Sequence, residues 1–262
     1  MASLTTQPLW LAILLVGAAT LLAMAGPVLV RRRLSLDRLK LDNEVAGFMF
    51  GTVGVFYAVL LAFAVIIAWE RLSKAEDATS QEAGAAATLY RLADGIGGDP
   101  GATLRDGLTR YLSAVITDEW LAMERSEASP AVTRALDNVY AALLTFTSND
   151  SRGTALLAEA LHQLDVVTQA RRTRLVLAAG VIPGVLWFAL FGGAVVTIGY
   201  TLFFGTDDLR LQAIMTGILS FLIFSGLLIL IGMNHPYAGA VKVEPEALSA
   251  VLEEIQSHPN RP

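Results

Sequence analysis

The fold is decided by the stretch from Val45 to Trp69, VAGFMFGTVGVFYAVLLAFAVIIAW, which contains no charged residue. An α-helix rises ~1.5 Å per residue, so roughly 20 apolar residues cross the ~30 Å hydrocarbon core of a bilayer. A core helix of a water-soluble protein keeps a polar face, and this stretch has none. The stretch therefore predicts a membrane-spanning helix.

Outward from this stretch, three further apolar runs have the length of a membrane span: Pro8 to Val30, Leu175 to Gly205 and Leu211 to Met233. The first could instead be a cleaved signal peptide, because Ala23-Met24-Ala25 resembles a signal-peptidase site. However, no Lys or Arg precedes this run, and it is longer than a typical signal core. These features favour an uncleaved helix.

The order of the runs predicts an all-α integral membrane protein with four transmembrane helices in two hairpins. We place the first hairpin at residues 1–70, with spans at about 8–30 and 45–69, and the second at 175–234, with spans at about 175–205 and 211–233. A helical soluble domain, residues 71–174, lies between the second and third spans, and a polar tail covers residues 235–262.

The soluble domain shows helical periodicity in its first segment, where mostly small residues recur at alternating steps of three and four. They are Leu72, Ala75, Thr79, Glu82, Ala86, Leu89 and Ala93. The helix continues the second span until the Gly-rich and Pro-containing stretch DGIGGDPG, residues 94–101, forms a turn. Further helices follow, and the last is expected to run through Arg174 into the third span.

The composition limits the possible functions. The 262 residues are 54% hydrophobic and 16% charged, with a net charge of −5, whereas soluble domains carry about 25% charged residues. The mean hydropathy is +0.55. The absence of cysteine excludes disulfides and thiolate nucleophiles. No basic stripe with interleaved aromatic residues is present, which argues against nucleic acid as a partner.

Candidate catalytic and metal-binding residues are few. His162, His235 and His258 lack the spacing of metal ligands. Ser220 and Ser225 lie within the fourth span, where a hydroxyl more often bonds along or between helices than attacks a substrate. The predicted spans hold no Asp, Glu, Lys, Arg or His, which argues against a proton-coupled transporter. We therefore expect no enzyme activity, no metal and no cofactor.

The second span carries a periodic stripe, which we call the α2 stripe. It consists of Phe48, Thr52, Phe56, Leu60 and Phe63 at helical steps of four and three. Spacing alone favours a lipid-facing or packing surface. The alternative is a pore lining, since hydrophobic rings can gate a channel by dewetting.

Two groups of small residues predict close helix approach and a kink. Gly47 and Gly51 are four residues apart in the second span, and Gly180, Pro183 and Gly184 lie near the start of the third. Such motifs are frequent in packed membrane proteins and specify no function.

Three segments resemble the bestrophin family. Residues 54–71 resemble the second span of bestrophins, with an aromatic pair near the beginning and a Trp-containing polar segment at the end. Residues 104–112 resemble the first cytosolic helix pair of that family, and NHPYAG at 234–239 resembles the Asn-Pro-Phe-Gly turn that follows its fourth membrane helix. The motif residues are Tyr57, Trp69, Glu70, Arg71, Glu82, Asn234, His235, Pro236 and Tyr237.

Within this group the chain is most similar to the bacterial bestrophin-like proteins of uncharacterised function. The resemblance implies a homo-oligomeric anion channel in a lipid bilayer, with second spans lining a shared axial pore and small inorganic anions as ligands. Thr52, Phe56 and Leu60 are then candidates for the constriction. The acidic cluster that forms the calcium clasp of animal bestrophins is absent, so calcium gating is not implied. A non-conducting membrane scaffold or signalling protein remains the alternative.

The resemblance implies a multi-pass protein of the inner membrane with the soluble domain in the cytoplasm. The positive-inside rule supports both orientations, because cations are found on both sides. Those in the short loop between the first two spans would place that loop in the cytoplasm and export the soluble domain; they are Arg31, Arg32, Arg33, Arg38 and Lys40. Those at the opposite membrane ends favour a cytoplasmic soluble domain; they are Arg71, Lys74, Arg171, Arg172, Arg174 and Lys242.

Overall fold

The computed structural model describes residues 9–33, 43–147, 150–180, 182–239 and 241–257. Pro8, Arg38, Lys40 and His258 lie outside the described residues, and so do parts of the predicted first hairpin and tail. The described helices are α1 (Leu9–Arg31), α2 (Asn43–Ile96), α3 (Gly98–Ala114), α4 (Trp120–Met123), α5 (Pro130–Leu144), α6 (Ser151–Ala178), α7 (Gly184–Thr201), α8 (Leu209–Met233) and α9 (Glu246–Ser257). A π-helical turn, Val115–Glu119, joins α3 to α4.

Four helices in the described ranges have the length and apolar composition of membrane spans, namely α1, α2, α7 and α8. The prediction of a helical protein with four candidate spans is confirmed. The chain divides into two compact units. We call residues 1–70 and 182–234 the membrane unit, and residues 71–181 and 235–262 the insert unit. The predicted tail thus belongs to the insert unit.

Close helix contacts in the membrane unit occur at glycines. A Cβ on Gly193 of α7 would lie 2.5 Å from the Tyr57 ring of α2, and one on Gly217 of α8 would lie 2.8 Å from Met24 of α1. Small residues allow helices to approach in this way. Both contacts join a helix of the predicted first hairpin to one of the second, so the pairing into hairpins stays a prediction.

Polar contacts fasten the segment between α7 and α8. Asn43, at the start of α2, donates from Nδ2 to the Gly205 carbonyl at 2.7 Å and accepts from the Gly205 amide at 3.0 Å. Arg31, at the end of α1, donates to Thr206 Oγ1 at 3.4 Å and to Gln212 Oε1 at 3.3 Å. The ends of three spans and their connecting segment are therefore tied by side-chain hydrogen bonds.

The core of the insert unit forms around the small-residue stripe of α2. All seven of its residues, from Leu72 to Ala93, are buried, as the periodicity predicts. The helix continues to Ile96, and α3 begins at Gly98, so the predicted turn is confined to Gly97, whose φ is 67°. Positive φ is readily available to glycine. Packing of α3 against α5 and α9 completes the core.

The predicted continuation of the last insert helix into the third span is wrong. Helix α6 ends at Ala178, and α7 begins at Gly184. Gly180 has a φ of 100°. This backbone conformation ends a helix, and glycine adopts it without strain. Pro183 occupies the N-cap of α7 and has no backbone N–H to continue a helix. The third span is consequently Gly184–Thr201, shorter than predicted.

Candidate functional site

The α2 stripe lies on the surface of the membrane unit. The relative exposures of Phe48, Phe56 and Phe63 are 78%, 76% and 61%. Thr52 is also exposed, and its hydroxyl donates to the Phe48 carbonyl at 3.4 Å. Leu60 is half-buried at the edge of the stripe. In the single chain these side chains therefore form an apolar surface with one hydroxyl-bearing member.

The opposite side of α2 is packed against its neighbours. Tyr57, Ala64 and Ala68 are buried at helical spacing, and the Tyr57 ring lies against Gly193 of α7. This packing fixes the rotation of α2 and turns the α2 stripe away from the interior of the membrane unit. Lipid, a second subunit or a pore could each contact such a surface.

The predicted small-residue motifs occupy different environments. A Cβ on Gly51 or Gly184 would meet nothing within 4 Å, and one on Gly47 would meet only the Phe204 ring at 3.9 Å. Gly180 and Pro183 separate α6 from α7. Within the single chain, the surface around Gly51 is open.

The motif residues at the end of the second span are exposed. Trp69, Glu70 and Arg71 all lie at the surface. After the fourth span, Asn234 Oδ1 accepts a hydrogen bond from the Ile182 amide at 3.0 Å. Asn234 therefore anchors the segment that precedes α7.

The other motif residues lie in the insert unit. His235 Nδ1 lies 3.5 Å from the Ala178 carbonyl, at the end of α6. Pro236 and Tyr237 are buried. Glu82, on the small-residue stripe of α2, is fully buried. Its carboxylate is part of a buried charged cluster that the sequence pattern does not predict.

We call this set of buried charges the ion-pair cluster; it consists of Glu82, Glu119, Arg171 and Arg174. Arg174 donates from Nε to Glu82 Oε2 at 2.6 Å and from Nη2 to Glu119 Oε2 at 3.2 Å. Arg171 donates from Nη2 to Glu119 Oε1 at 2.6 Å. Two cations and two anions from three segments of the chain thus neutralise one another.

Two neighbouring side chains also contact the ion-pair cluster. Tyr111 of α3 donates its hydroxyl to Glu82 Oε1 at 2.7 Å. The Arg174 guanidinium lies 5.1 Å from the centre of the Trp120 ring, a distance suited to a cation–π contact. The π-helical turn ends at Glu119, and such turns are frequent at functional sites.

The electrostatics keep these groups in fixed protonation states. Burial by itself lowers the pKa of Arg174, but the charge and hydrogen bonds of Glu82 outweigh this effect and raise the pKa. The pKa of Arg171 is also raised, because its bonds to Glu119 outweigh burial. Burial, followed by the charge of Glu82, raises the pKa of Tyr111 well above its usual value. The arginines remain charged and the tyrosine neutral at physiological pH.

The tail closes one side of the ion-pair cluster. Tyr237 meets the Trp120 ring edge to face at 5.5 Å and donates its hydroxyl to the Ala75 carbonyl at 3.1 Å. Trp120 Nε1 donates to the Val243 carbonyl at 3.2 Å. Burial raises the pKa of Tyr237 to about 12. The tail is therefore an integral part of this core.

The geometry of the ion-pair cluster is that of a structural core. Each carboxylate is already bound by arginine, and the group is sealed from solvent. Among the described residues no set of three or more His, Cys, Asp or Glu is arranged to hold a metal ion. The ion-pair cluster therefore stabilises the insert unit, and the exposed α2 stripe of the membrane unit is left as the candidate functional surface.

Comparison with known proteins identifies the family. A family model described as a Bestrophin-like domain matches residues 12–248. The chain belongs to the bestrophin-like family. The family prediction is confirmed, and the match includes three candidate spans in full, nearly all of the first, and most of the insert unit.

Solved structures of a bacterial bestrophin homolog from Klebsiella pneumoniae share the fold of this bestrophin-like chain. One single-substitution variant has a TM-score of 0.71 at 14% identity, over 94% of this chain and 99% of that chain. A second variant has a TM-score of 0.68 at 16% identity, over 91% and 98%. A structure phased with zinc has a TM-score of 0.69 at 14% identity, over 93% and 98%. A comparison with curated proteins gave no match.

Proposed function

We propose that this bestrophin-like protein forms a homo-oligomeric anion channel in which α2 of each subunit contributes to a shared axial pore. The observation that carries this proposal is the exposure of the α2 stripe on a helix whose other side is packed within the protomer. Several subunits can turn a surface of this kind towards a shared central axis.

The chemistry of the α2 stripe fits a hydrophobic constriction. Phe48, Phe56 and Phe63 would place aromatic rings at successive levels of the pore, and apolar rings of this type gate by dewetting. Thr52 would add a hydroxyl between two of these levels. Anion selectivity, with chloride-type ions as the conducted species, is proposed from the family to which the chain belongs.

The number of subunits is the first requirement to test. The predicted apolar spans of a single chain contain no Asp, Glu, Lys, Arg or His and are packed at small residues, so a conducting path needs several copies. The mass of the full chain in mild detergent, corrected for bound detergent, should correspond to a discrete multimer. A monomer would contradict the channel proposal and favour a scaffold that acts through the insert unit.

Anion flux into liposomes tests the α2 stripe itself. Phe56→Ala removes a ring from the proposed constriction and should raise the chloride flux severalfold, because a wider and less apolar constriction is easier to hydrate. Phe188→Ala is the matched control, since Phe188 of α7 is 81% exposed and lies outside the α2 stripe. No flux from any of the three proteins, or equal changes in both variants, would contradict the proposal.

We place the protein in the inner membrane with the insert unit in the cytoplasm, following the family arrangement. Arg171 and Arg174 are occupied by the ion-pair cluster, whereas Arg71, Lys74 and Arg172 are exposed. A cysteine introduced at Ser80, an exposed position of the insert unit, should be protected from an impermeant thiol reagent in intact cells. Labelling of this cysteine in intact cells would show that the orientation is the opposite one.

A further inference from the structure

We propose that the membrane unit binds an anionic phospholipid at the end of α1. A groove of about 650 Å³ lies there, lined by Leu29, Val30, Arg32, Arg33 and Phe203. Its volume falls within the range of about 300–1,000 Å³ that is usual for ligand sites. Apolar side chains and two cations meet in one groove, and each group matches one part of a phospholipid.

The apolar wall of the groove results from a close helix contact. A Cβ on Gly26 would lie 2.7 Å from Leu202, so only the absence of a side chain allows Leu202 to lie against α1. The contact brings Phe203 beside the last turn of α1. Leu29 and Phe203 both remain exposed in the protomer. Two large apolar surfaces are thus left facing the surroundings at the end of a membrane span.

The two cations lie at the mouth of this groove. Arg31 ends the span and is used internally, since its guanidinium donates to Gln212. Arg32 and Arg33 follow in a turn, in which the Arg33 amide donates to the Val30 carbonyl at 2.9 Å. Both arginines are exposed. Because they come directly after the span, a bilayer that covers α1 would bring its phosphates level with them.

Cations at this position would also complement the C-terminal end of the α1 dipole, which is the simpler explanation. That explanation accounts for the charges, and bulk lipid hydrocarbon would then cover the adjoining apolar wall, as it covers the rest of the spans. A phospholipid accounts for both, because guanidinium groups bind phosphate through paired hydrogen bonds while an acyl chain covers Leu29 and Phe203. A zwitterionic headgroup brings a positive charge that the arginines repel, so the site should prefer a net anionic lipid.

Native mass spectrometry of the full chain in mild detergent tests the site directly. The protein is titrated with short-chain phosphatidylglycerol or with phosphatidylcholine of the same chain length. The wild type should bind phosphatidylglycerol on the order of 10- to 30-fold more tightly, given two interfacial arginines. Equal binding of the two lipids would overturn the proposal.

Three pairs of substitutions define the contribution of the cations. Arg32→Gln with Arg33→Gln should abolish the preference, whereas Arg32→Lys with Arg33→Lys should retain most of it. Arg134→Gln with Arg172→Gln is the matched control, because both residues are exposed cations of the insert unit. A preference that survives in the first pair, or disappears in the control pair, would contradict the site.

Inorganic phosphate separates a lipid site from a free-anion site. Phosphate lacks the acyl chain that the groove wall would cover, so millimolar phosphate should leave phosphatidylglycerol binding unchanged. Phe203→Ala should weaken phosphatidylglycerol binding severalfold by removing part of that wall. Displacement of the lipid by phosphate, together with no effect of Phe203→Ala, would show that the groove binds a small anion and not a phospholipid.

Discussion

The two units of this protein place apolar and charged side chains in opposite ways. The membrane unit exposes large apolar side chains and is packed at glycines such as Gly193. The insert unit buries two arginines and two glutamates at its centre. Removing apolar surface from lipid hydrocarbon releases little free energy, so close van der Waals contact between helices stabilises the membrane unit. In the insert unit, removal of one charge leaves its partners buried without compensation.

The largest expected effect is on the insert unit, from Arg174→Met. The change would leave Glu82 without its cation in a sealed core, and broken buried ion pairs cost about 3–5 kcal/mol. We expect a loss of that size in the free energy of unfolding, measured by denaturant titration in detergent. Arg172→Met is the matched control, since Arg172 is exposed and should change stability by no more than about 0.5 kcal/mol. Similar small losses in both variants would show that the ion-pair cluster is not structurally required.

The second effect is a fall in the stability of the insert unit at high pH. The pKa of Tyr237 is raised to about 12 in the folded protein, against about 10 in the unfolded chain. The neutral hydroxyl therefore stabilises the fold fully below pH 10, and this contribution is lost as the pH rises towards 12. The loss should be about 2–3 kcal/mol.

Tyr237→Phe provides the comparison for this pH dependence. It removes the hydrogen bond to Ala75, which should cost about 1 kcal/mol at neutral pH. The stability of the variant should then fall less steeply between pH 10 and 12 than that of the wild type. Parallel pH profiles for the two proteins would show that Tyr237 does not titrate with unfolding.

A smaller effect is expected in the membrane unit from Gly193→Ala. The added methyl group would lie 2.5 Å from the Tyr57 ring, so one of the two helices must shift. Overpacking of this kind costs about 1–3 kcal/mol. Thermal unfolding in one detergent measures the change. Gly192→Ala is the control, because a Cβ there meets nothing within 4 Å. If both variants unfold at the wild-type temperature, the α2–α7 contact is looser than described.

Sequence periodicity predicted the parts of the fold that depend on local pattern. The spans and the buried stripe from Leu72 to Ala93 follow from apolar spacing within single helices. The break between α6 and α7 was missed, although Gly180 and Pro183 were recognised as a kink. Two helix-terminating residues three positions apart, one with positive φ and one without an N–H, end a helix rather than bend it.

The ion-pair cluster was missed because its members are far apart in sequence. Arg171 and Arg174 were counted as cations near a membrane end. Their spacing did contain a signal, since they continue the steps of three and four set by Leu164 and Val167 on the buried side of α6. Glu119 is the last residue of a π-helical turn, which shifts the helical register and conceals its burial. Nothing in one sequence reveals which carboxylate meets which arginine.

A single cysteine at position 56 tests the central claim most directly, because the natural chain contains no cysteine that could interfere. If α2 lines a shared pore, a charged thiol reagent should block anion flux through the Phe56→Cys channel. The same reagent should leave the Phe188→Cys channel unaffected. Flux through Phe56→Cys that persists despite complete labelling would contradict a pore lined by the α2 stripe.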